Sequence, residues 1–252
     1  MCGRFTQQRP SSELAAIFGA EDLASTDGGV GTQGGRFNIA PTNEALVVVQ
    51  REDRRAVVRY RWGLIPAWSD DPRIASRTFN ARAETVATSP MFRDAFRKRR
   101  CLVPVDGFYE WRREGTVRHP TRITAASGAP LALAGLWTGR QDPESGEWRR
   151  TFTIMTTRPN AFMAAIHDRM PVIVPRSGWA AWLGDGGADG AGGGGAGAAG
   201  GGVDPAELRA GVDLAELRAM LEPSDDVALS AYEVSSLVNN VRNDGPELIL
   251  PA

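Results

Sequence analysis

Cys101-Leu-Val-Pro-Val105 and Phe108-Tyr-Glu-Trp-Arg112, separated by Asp106-Gly107, decide the fold class. Both runs are short and rich in β-branched or aromatic residues, so they read as strands. Residues 131–138 and 151–157 have the same character, with the turn signal Asp142-Pro-Glu-Ser-Gly146 between them. Upstream, 46–49 and 56–62 flank Glu52-Asp53-Arg54 as a hairpin, and 171–174 is a further strand. Helical signals are brief and scattered. One covers 11–18, with Ser11 as cap and Gly19 as stop, and one runs from Ser89-Pro90 to about Arg100. Another runs from Asn160 to near His167, and one from Ser177 to Leu183 ends at Gly184. Strand follows strand without βαβ alternation, so an α+β class is expected rather than a doubly wound sheet.

Length and composition narrow the functional classes. The chain has 252 residues, 2 Cys and 2 His, too few to write a disulfide framework or a Cys/His zinc site. No metal and no cofactor are expected. No secretory leader or membrane span is read, which points to a reducing cytoplasm. Net charge is -1 but unevenly spread: residues 36–122 hold 18 Lys+Arg against 10 Asp+Glu, and the remainder is acidic. The basic half is where a polyanion would bind. Residues 185–202 are almost pure Gly and Ala, read as a flexible insertion in one domain spanning 1–252, and Gly-rich 27–35 is a loop. Val203-Asp-Pro-Ala-Glu-Leu-Arg-Ala recurs as Val212-Asp-Leu-Ala-Glu-Leu-Arg-Ala, a local duplication too short for a solenoid.

Four places concentrate reactive or polar groups. Trimming of Met1, expected because residue 2 is small, leaves Cys2 as the amino terminus. Its α-amine and thiol, with ordinary pKa values of about 7.7–8.0 and 8.5, then form a 1,2-aminothiol. Such a group condenses with an aldehyde through nitrogen and closes a thiazolidine through sulfur, an intramolecular step favoured by about 7–11 kcal/mol of effective concentration. A small buried cysteine is the plain alternative. The polar knot around Asn80 reads equally as a turn cluster. Glu110 shares a strand face with Phe108, opposite Tyr109 and Trp111; exposure is its simpler reading and a desolvated proton shuttle the other. His167, at a helix end beside Asp168 and Arg169, suits an imidazolium or a cap. His119, beside Pro120, reads as an exposed, inert residue of a polar turn. Trp62 reads as core packing, and for Trp68 core packing and a stacking face both stand.

Seven blocks in order are similar to those of the SRAP family, the SOS response-associated peptidases or abasic-site processing proteins. They are Met1-Cys-Gly-Arg-Phe5, Phe37-Asn-Ile-Ala-Pro41, Arg61-Trp-Gly-Leu-Ile-Pro66, Asn80-Ala-Arg-Ala-Glu-Thr85, Phe108-Tyr-Glu-Trp111, Ile166-His-Asp-Arg-Met-Pro171 and Val238-Asn-Asn-Val-Arg-Asn-Asp-Gly245. The resemblance implies a mainly antiparallel, barrel-like β core with peripheral short helices. It implies a monomer that binds single-stranded DNA and becomes joined to abasic sites through Cys2, lyase-like, in the cytoplasm and on the nucleoid when crosslinked. By the same resemblance Glu110 manages protons on the amine and departing water, His167 protonates the sugar ring oxygen, and Asn80 holds the amine or sugar. Arg82 and Arg169 contact phosphates, Arg4 joins the DNA-binding set, and Asn38, Pro41 and Trp68 line the strand's path. The family is also described as a thiol autopeptidase acting on its own first residue. Two rivals follow from the residues: an N-terminal-nucleophile amidohydrolase, which also begins Met-Cys-Gly, and a non-covalent reader of single-stranded nucleic acid with an inert Cys2.

Overall fold

The computed structural model describes residues 2–25, 35–51, 53–142, 146–184, 214–223, 225 and 227–252. The expected Gly/Ala insertion at 185–202, residues 27–34 of the Gly-rich loop and the first copy of the duplication lie outside these residues, as does most of the turn at 142–146. The strands in chain order are β1 (Phe5–Gln7), β2 (Ala20–Asp22), β3 (Arg36–Ile39), β4 (Glu44–Arg51), β5 (Arg54–Trp62), β6 (Asn80–Arg82) and β7 (Arg100–Val105). They continue with β8 (Gly107–Glu114), β9 (Val117–Ala125), β10 (Leu131–Gln141), β11 (Trp148–Thr157), β12 (Met170–Pro171) and β13 (Leu229–Glu233). The helices are α1 (Ser11–Phe18), α2 (Arg93–Lys98), α3 (Ala161–Ala164), α4 (Trp179–Leu183) and α5 (Leu214–Ala219).

Strands β5, β4, β7, β10 and β11 close into a barrel. Its ladders are antiparallel except the closing one, where Thr151 and Phe152 of β11 pair in parallel with Arg61 and Trp62 of β5. Successive side chains point to opposite faces. Ala45, Val47, Val49, Val58, Trp62, Val103 and Phe152 therefore pack in one core cluster, inside the barrel. Leu46, Val48, Val57, Leu102 and Met155 belong to a second, with Leu14 and Phe18 of α1, Phe96 of α2 and Trp182 of α4. The run Leu46-Val-Val-Val49 lacks polar alternation because both its faces are buried. The class is α+β, with the barrel-like core and short outer helices expected of it.

A second sheet, in the order β13-β9-β8-β1-β3, lies beside the barrel. Tyr109, Val234, Val238 and Leu248 form its small core, and the Tyr109 hydroxyl donates to the Phe37 carbonyl at 2.9 Å.

Several local expectations are corrected. Pro10, not Ser11, occupies the cap position of α1, and Ser11 Oγ donates to Asp22 instead. Ser89 starts a pair of turns, with the Phe92 and Arg93 amides donating to its carbonyl, so α2 begins three residues later than the proline signal suggests. Arg100 starts β7, and its guanidinium folds back onto the Phe96 and Arg97 carbonyls, where a cation offsets the negative helix end. Residues 117–125, read around His119 as a polar turn, form strand β9. His119 is partly buried, with Nδ1 2.7 Å from Glu233 Oε1. Pro120, which lacks an N–H, still serves the ladder by accepting from the Val234 amide at 2.9 Å.

Candidate active site

The site is assembled where β1, β6, β8 and the turn after α3 meet. Phe5 pairs with Phe108 and Thr6 with Gly107 in antiparallel register, and the Tyr109 amide donates to the Arg4 carbonyl at 2.9 Å. Continued by two residues, that register sets Gly3 across from Glu110 and Cys2 beside it. On the other side β6 runs parallel to β11, with Asn80 opposite Ile154. Asn80 Nδ2 donates to the Cys2 carbonyl at 2.9 Å. Asn80 Oδ1 is buried without a hydrogen-bond partner among the described residues, an acceptor left open. Asn160 caps α3 by accepting from the Met163 amide, and the His167 amide donates to the Met163 carbonyl at 2.8 Å. This one-turn device aims His167 at Glu110, with Nε2 3.7 Å from Oε2.

Burial sets the electrostatics. Glu110 is 2% exposed, so the simpler reading of an exposed edge carboxylate is replaced by a desolvated one. Desolvation pushes its pKa up to about 7, against the pull of the amino-terminal charge. His167 moves down, chiefly by burial and then by that same amino-terminal charge, with Asp168 opposing. Desolvation thus outweighs the helix end that would favour imidazolium. His167 Nδ1 lies 3.0 Å from the Arg169 amide and 2.9 Å from Asp168 Oδ1. In neutral imidazole Nδ1 accepts from the Arg169 amide and Nε2–H faces Glu110; in imidazolium Nδ1–H turns to Asp168. Burial thus raises the Glu110 carboxyl and lowers the His167 imidazole, reversing their ordinary order, so in the resting pair the proton belongs to Glu110 and His167 is neutral. Cys2 is fully buried, and desolvation, reinforced by Glu110, raises its thiol pKa well above the ordinary value. It is a thiol, not a thiolate, unless a base takes its proton.

The residues expected along a strand path fall into two groups. Trp68 is 63% exposed, and Arg82 is exposed with no ion pair or hydrogen-bonded side-chain partner among the described residues. Pro41 is half-buried and precedes Thr42, which holds φ 76°, the left-handed region a β-branched residue rarely enters. The Thr42 amide donates to the Trp62 carbonyl at 2.8 Å, and Arg61 Nε to the Thr42 carbonyl at 3.2 Å, fixing this conformation. The others are committed internally. Asn38 is fully buried, and its Nδ2 donates to the Val238, Asn240 and Asn243 carbonyls at 2.9–3.2 Å. Arg4 donates to Asn38 Oδ1 at 2.9 Å and to the Val238 carbonyl at 2.7 Å. Arg169 is bidentate to Glu84, at 2.5 and 3.0 Å, and donates to the Thr156 carbonyl at 2.8 Å. In this arrangement Asn38, Arg4 and Arg169 shape the surface from beneath. Asp168, adjoining His167 in the Ile166–Pro171 block, and Thr42, whose strain no sequence pattern announces, are not among the expected site residues.

A family model described as SOS response associated peptidase (SRAP) matches residues 1–191. The chain belongs to the SRAP family. It is 35% identical to abasic site processing protein YoqW of Bacillus subtilis over 99% of each chain, and 30% identical to abasic site processing protein YedK of Escherichia coli over the whole of both. A Bacteroides thetaiotaomicron protein of solved structure superposes with a TM-score of 0.79 at 23% identity, covering all of both chains, and shares the fold. In this SRAP protein, three groups from three separate chain segments, Asn80, Glu110 and His167, thus gather around residue 2. No cluster of metal-ligating side chains occurs among the described residues, nor any helix long and apolar enough to cross a membrane.

Proposed function

We propose that this protein recognises abasic sites in single-stranded DNA and traps them covalently through Cys2 after Met1 is removed. The observation that carries the reading is the convergence of Asn80, Glu110 and His167 on residue 2. Relatives named for abasic site processing, at 30–35% identity across nearly the whole chain, support the substrate.

The chemistry follows from the groups present. His167 protonates the ring oxygen of the deoxyribose hemiacetal, opening it to the aldehyde. The free Cys2 amine adds to the carbonyl carbon, and the carbinolamine loses water as an iminium, with Glu110 shuttling protons between nitrogen and the departing oxygen. The Cys2 sulfur then bonds to the same carbon. Its proton passes to Glu110, and the iminium electron pair returns to nitrogen. The net change is loss of one water. Asn80 anchors the Cys2 carbonyl and keeps Oδ1 available to the amine or a sugar hydroxyl. An abasic site has no base to unstack, so capture omits the few kcal/mol that base flipping requires.

Burial of Cys2 puts a condition on this scheme: the route to residue 2 must open when Met1 leaves. Met-trimmed protein mixed with single-stranded DNA bearing one abasic site is therefore expected to give a heat-stable adduct. A form retaining Met1 should give none. Cys2→Ala should abolish the adduct while changing non-covalent affinity less than twofold. Equal crosslinking by the Ala variant would remove Cys2 from the chemistry. A trimmed wild type that binds but never crosslinks would leave the non-covalent reader, the rival that complete burial of the thiol favours.

A further inference from the structure

The barrel has a second feature that the Cys2 site does not use. The parallel ladder between β5 and β11 begins at Arg61 and Thr151, and toward their amino-terminal ends the two strands carry a cavity of about 690 Å³. Five arginines line it: Arg51, Arg59, Arg61, Arg149 and Arg150. Trp148, 38% exposed, forms part of the wall, with the Arg150 guanidinium 5.5 Å from its ring centre. Glu44 also lines the cavity, and Asp142 pairs with Arg149 at 2.5 Å, so the cationic surplus remains large. The arginines come from strands distant in sequence, and two of them from outside the basic segment. Closure of the barrel, not a local charge run, gathers them.

The cavity is continuous with the surface expected to carry DNA. Ile65 and Pro72 line it and bracket exposed Trp68 on one loop. That loop is fastened to the barrel: the Ile65 amide donates to Thr151 Oγ1, Thr138 Oγ1 to the Ile65 carbonyl, and Arg140 Nη1 to the Ser69 carbonyl. Arg61 of the cavity reaches the Thr42 carbonyl beside Pro41. From Trp148 along β11 to Ile154, the partner of Asn80, is about 20 Å at 3.3 Å per residue. Planar guanidinium forks recognise phosphate oxygens bidentately, and an indole offers a face to a base.

We infer that this arginine-lined cleft is a second nucleic-acid site, which binds the phosphodiester backbone of the strand flanking the segment held at Cys2. It deepens the DNA reading above and rests on it for the identity of the strand. The test is fluorescence anisotropy with intact deoxythymidine oligomers of about 8 and about 20 nucleotides, short enough for one site and long enough for two. R51Q/R149Q removes two cations whose side chains are exposed, so a melting temperature like that of wild type is expected. Its affinity for the long strand should fall about tenfold near 0.15 M salt, and its log–log salt slope should flatten by about 1.4 for two lost phosphate contacts. Affinity for the short strand should not change, and R51K/R149K should restore the slope. Equal losses on both lengths, no loss on either, or displacement of the long strand by inorganic triphosphate as readily as by a second strand would overturn the cleft as a strand site. Crosslinking to a short abasic strand reads the Cys2 proposal separately: it persists in R51Q/R149Q if only the cleft is wrong, and is absent in wild type if the Cys2 reading is wrong.

Discussion

Glu110 shows how much a single strand position withholds from sequence. Alternation placed it opposite Tyr109 and Trp111, yet its burial depends on β1, β6 and the turn after α3 closing over that face, and no local pattern encodes this. Once buried, a carboxyl whose pKa is pushed up to about 7 keeps its proton to far higher pH than an ordinary carboxyl and can give or take one near cellular pH. The rate of adduct formation by trimmed protein should therefore rise with pH through about 7, as Glu110 becomes the carboxylate that accepts the thiol proton. Glu110→Gln should remove that limb and slow formation by about 10²–10⁴-fold. Single-turnover gels across pH 5.5–8.5 check it; an unchanged limb in the Gln variant assigns the titration elsewhere. Cys2 and His167 were legible because rare residue types stand out. Arg169 was legible as a cation, but not as one already committed to Glu84, because ion pairing across 85 residues leaves no trace in spacing.

At the scale of elements, the tail segment 236–245 has one short 3-10 turn, Ser236–Asn239, and is fastened to the sheet by buried polar groups. Asn38 gathers three of its carbonyls, and Asp244 accepts from the Phe37 and Asn38 amides at 2.6 and 2.9 Å and from Arg36. Asn38→Ala leaves those carbonyls short of a donor, a cost of about 2–3 kcal/mol. For a chain of this size that lowers Tm by about 5–10 °C. Because Arg4 shares Asn38 and Val238, DNA affinity should weaken with it, and Asn38→Asp, which cannot donate, should not rescue either loss. A thermal melt and the same anisotropy assay decide this. Elements carried by an apolar run were readable, including the β4–β5 hairpin and β7, β8, β10 and β11. Strand β9 was not, since Arg118, His119 and Pro120 dilute its pattern, and its place is set by pairing with β8 on one side and β13 on the other. Closure of the barrel, expected only from the family resemblance, left no mark in the strand patterns, since two residue pairs between β5 and β11 complete it.

Across the whole molecule the Glu110–His167 pair puts two opposed pH dependences into stability. Unfolding returns Glu110 from about 7 to its ordinary 4.5 and His167 from a depressed value to 6.5. The folded state therefore binds more protons than the unfolded chain at Glu110 and fewer at His167. The two contributions to the slope of ΔG have opposite signs and offset in part where both groups titrate. Substituting either partner exposes the other. A raised carboxylate pKa stabilises the fold fully below 4.5 and loses that contribution as pH rises to about 7, so His167→Asn should lose about 3 kcal/mol across that window. A depressed histidine pKa has the opposite sign: its contribution is present above 6.5 and lost as pH falls, so Glu110→Gln should become less stable on acidification. Urea unfolding of wild type and both variants at pH 5, 6, 7 and 8 yields three curves, the two variants sloping oppositely and the wild type between them. Parallel curves for the two variants would mean that these side chains do not exchange a proton on unfolding, and would remove the coupling on which their joint acid–base role depends.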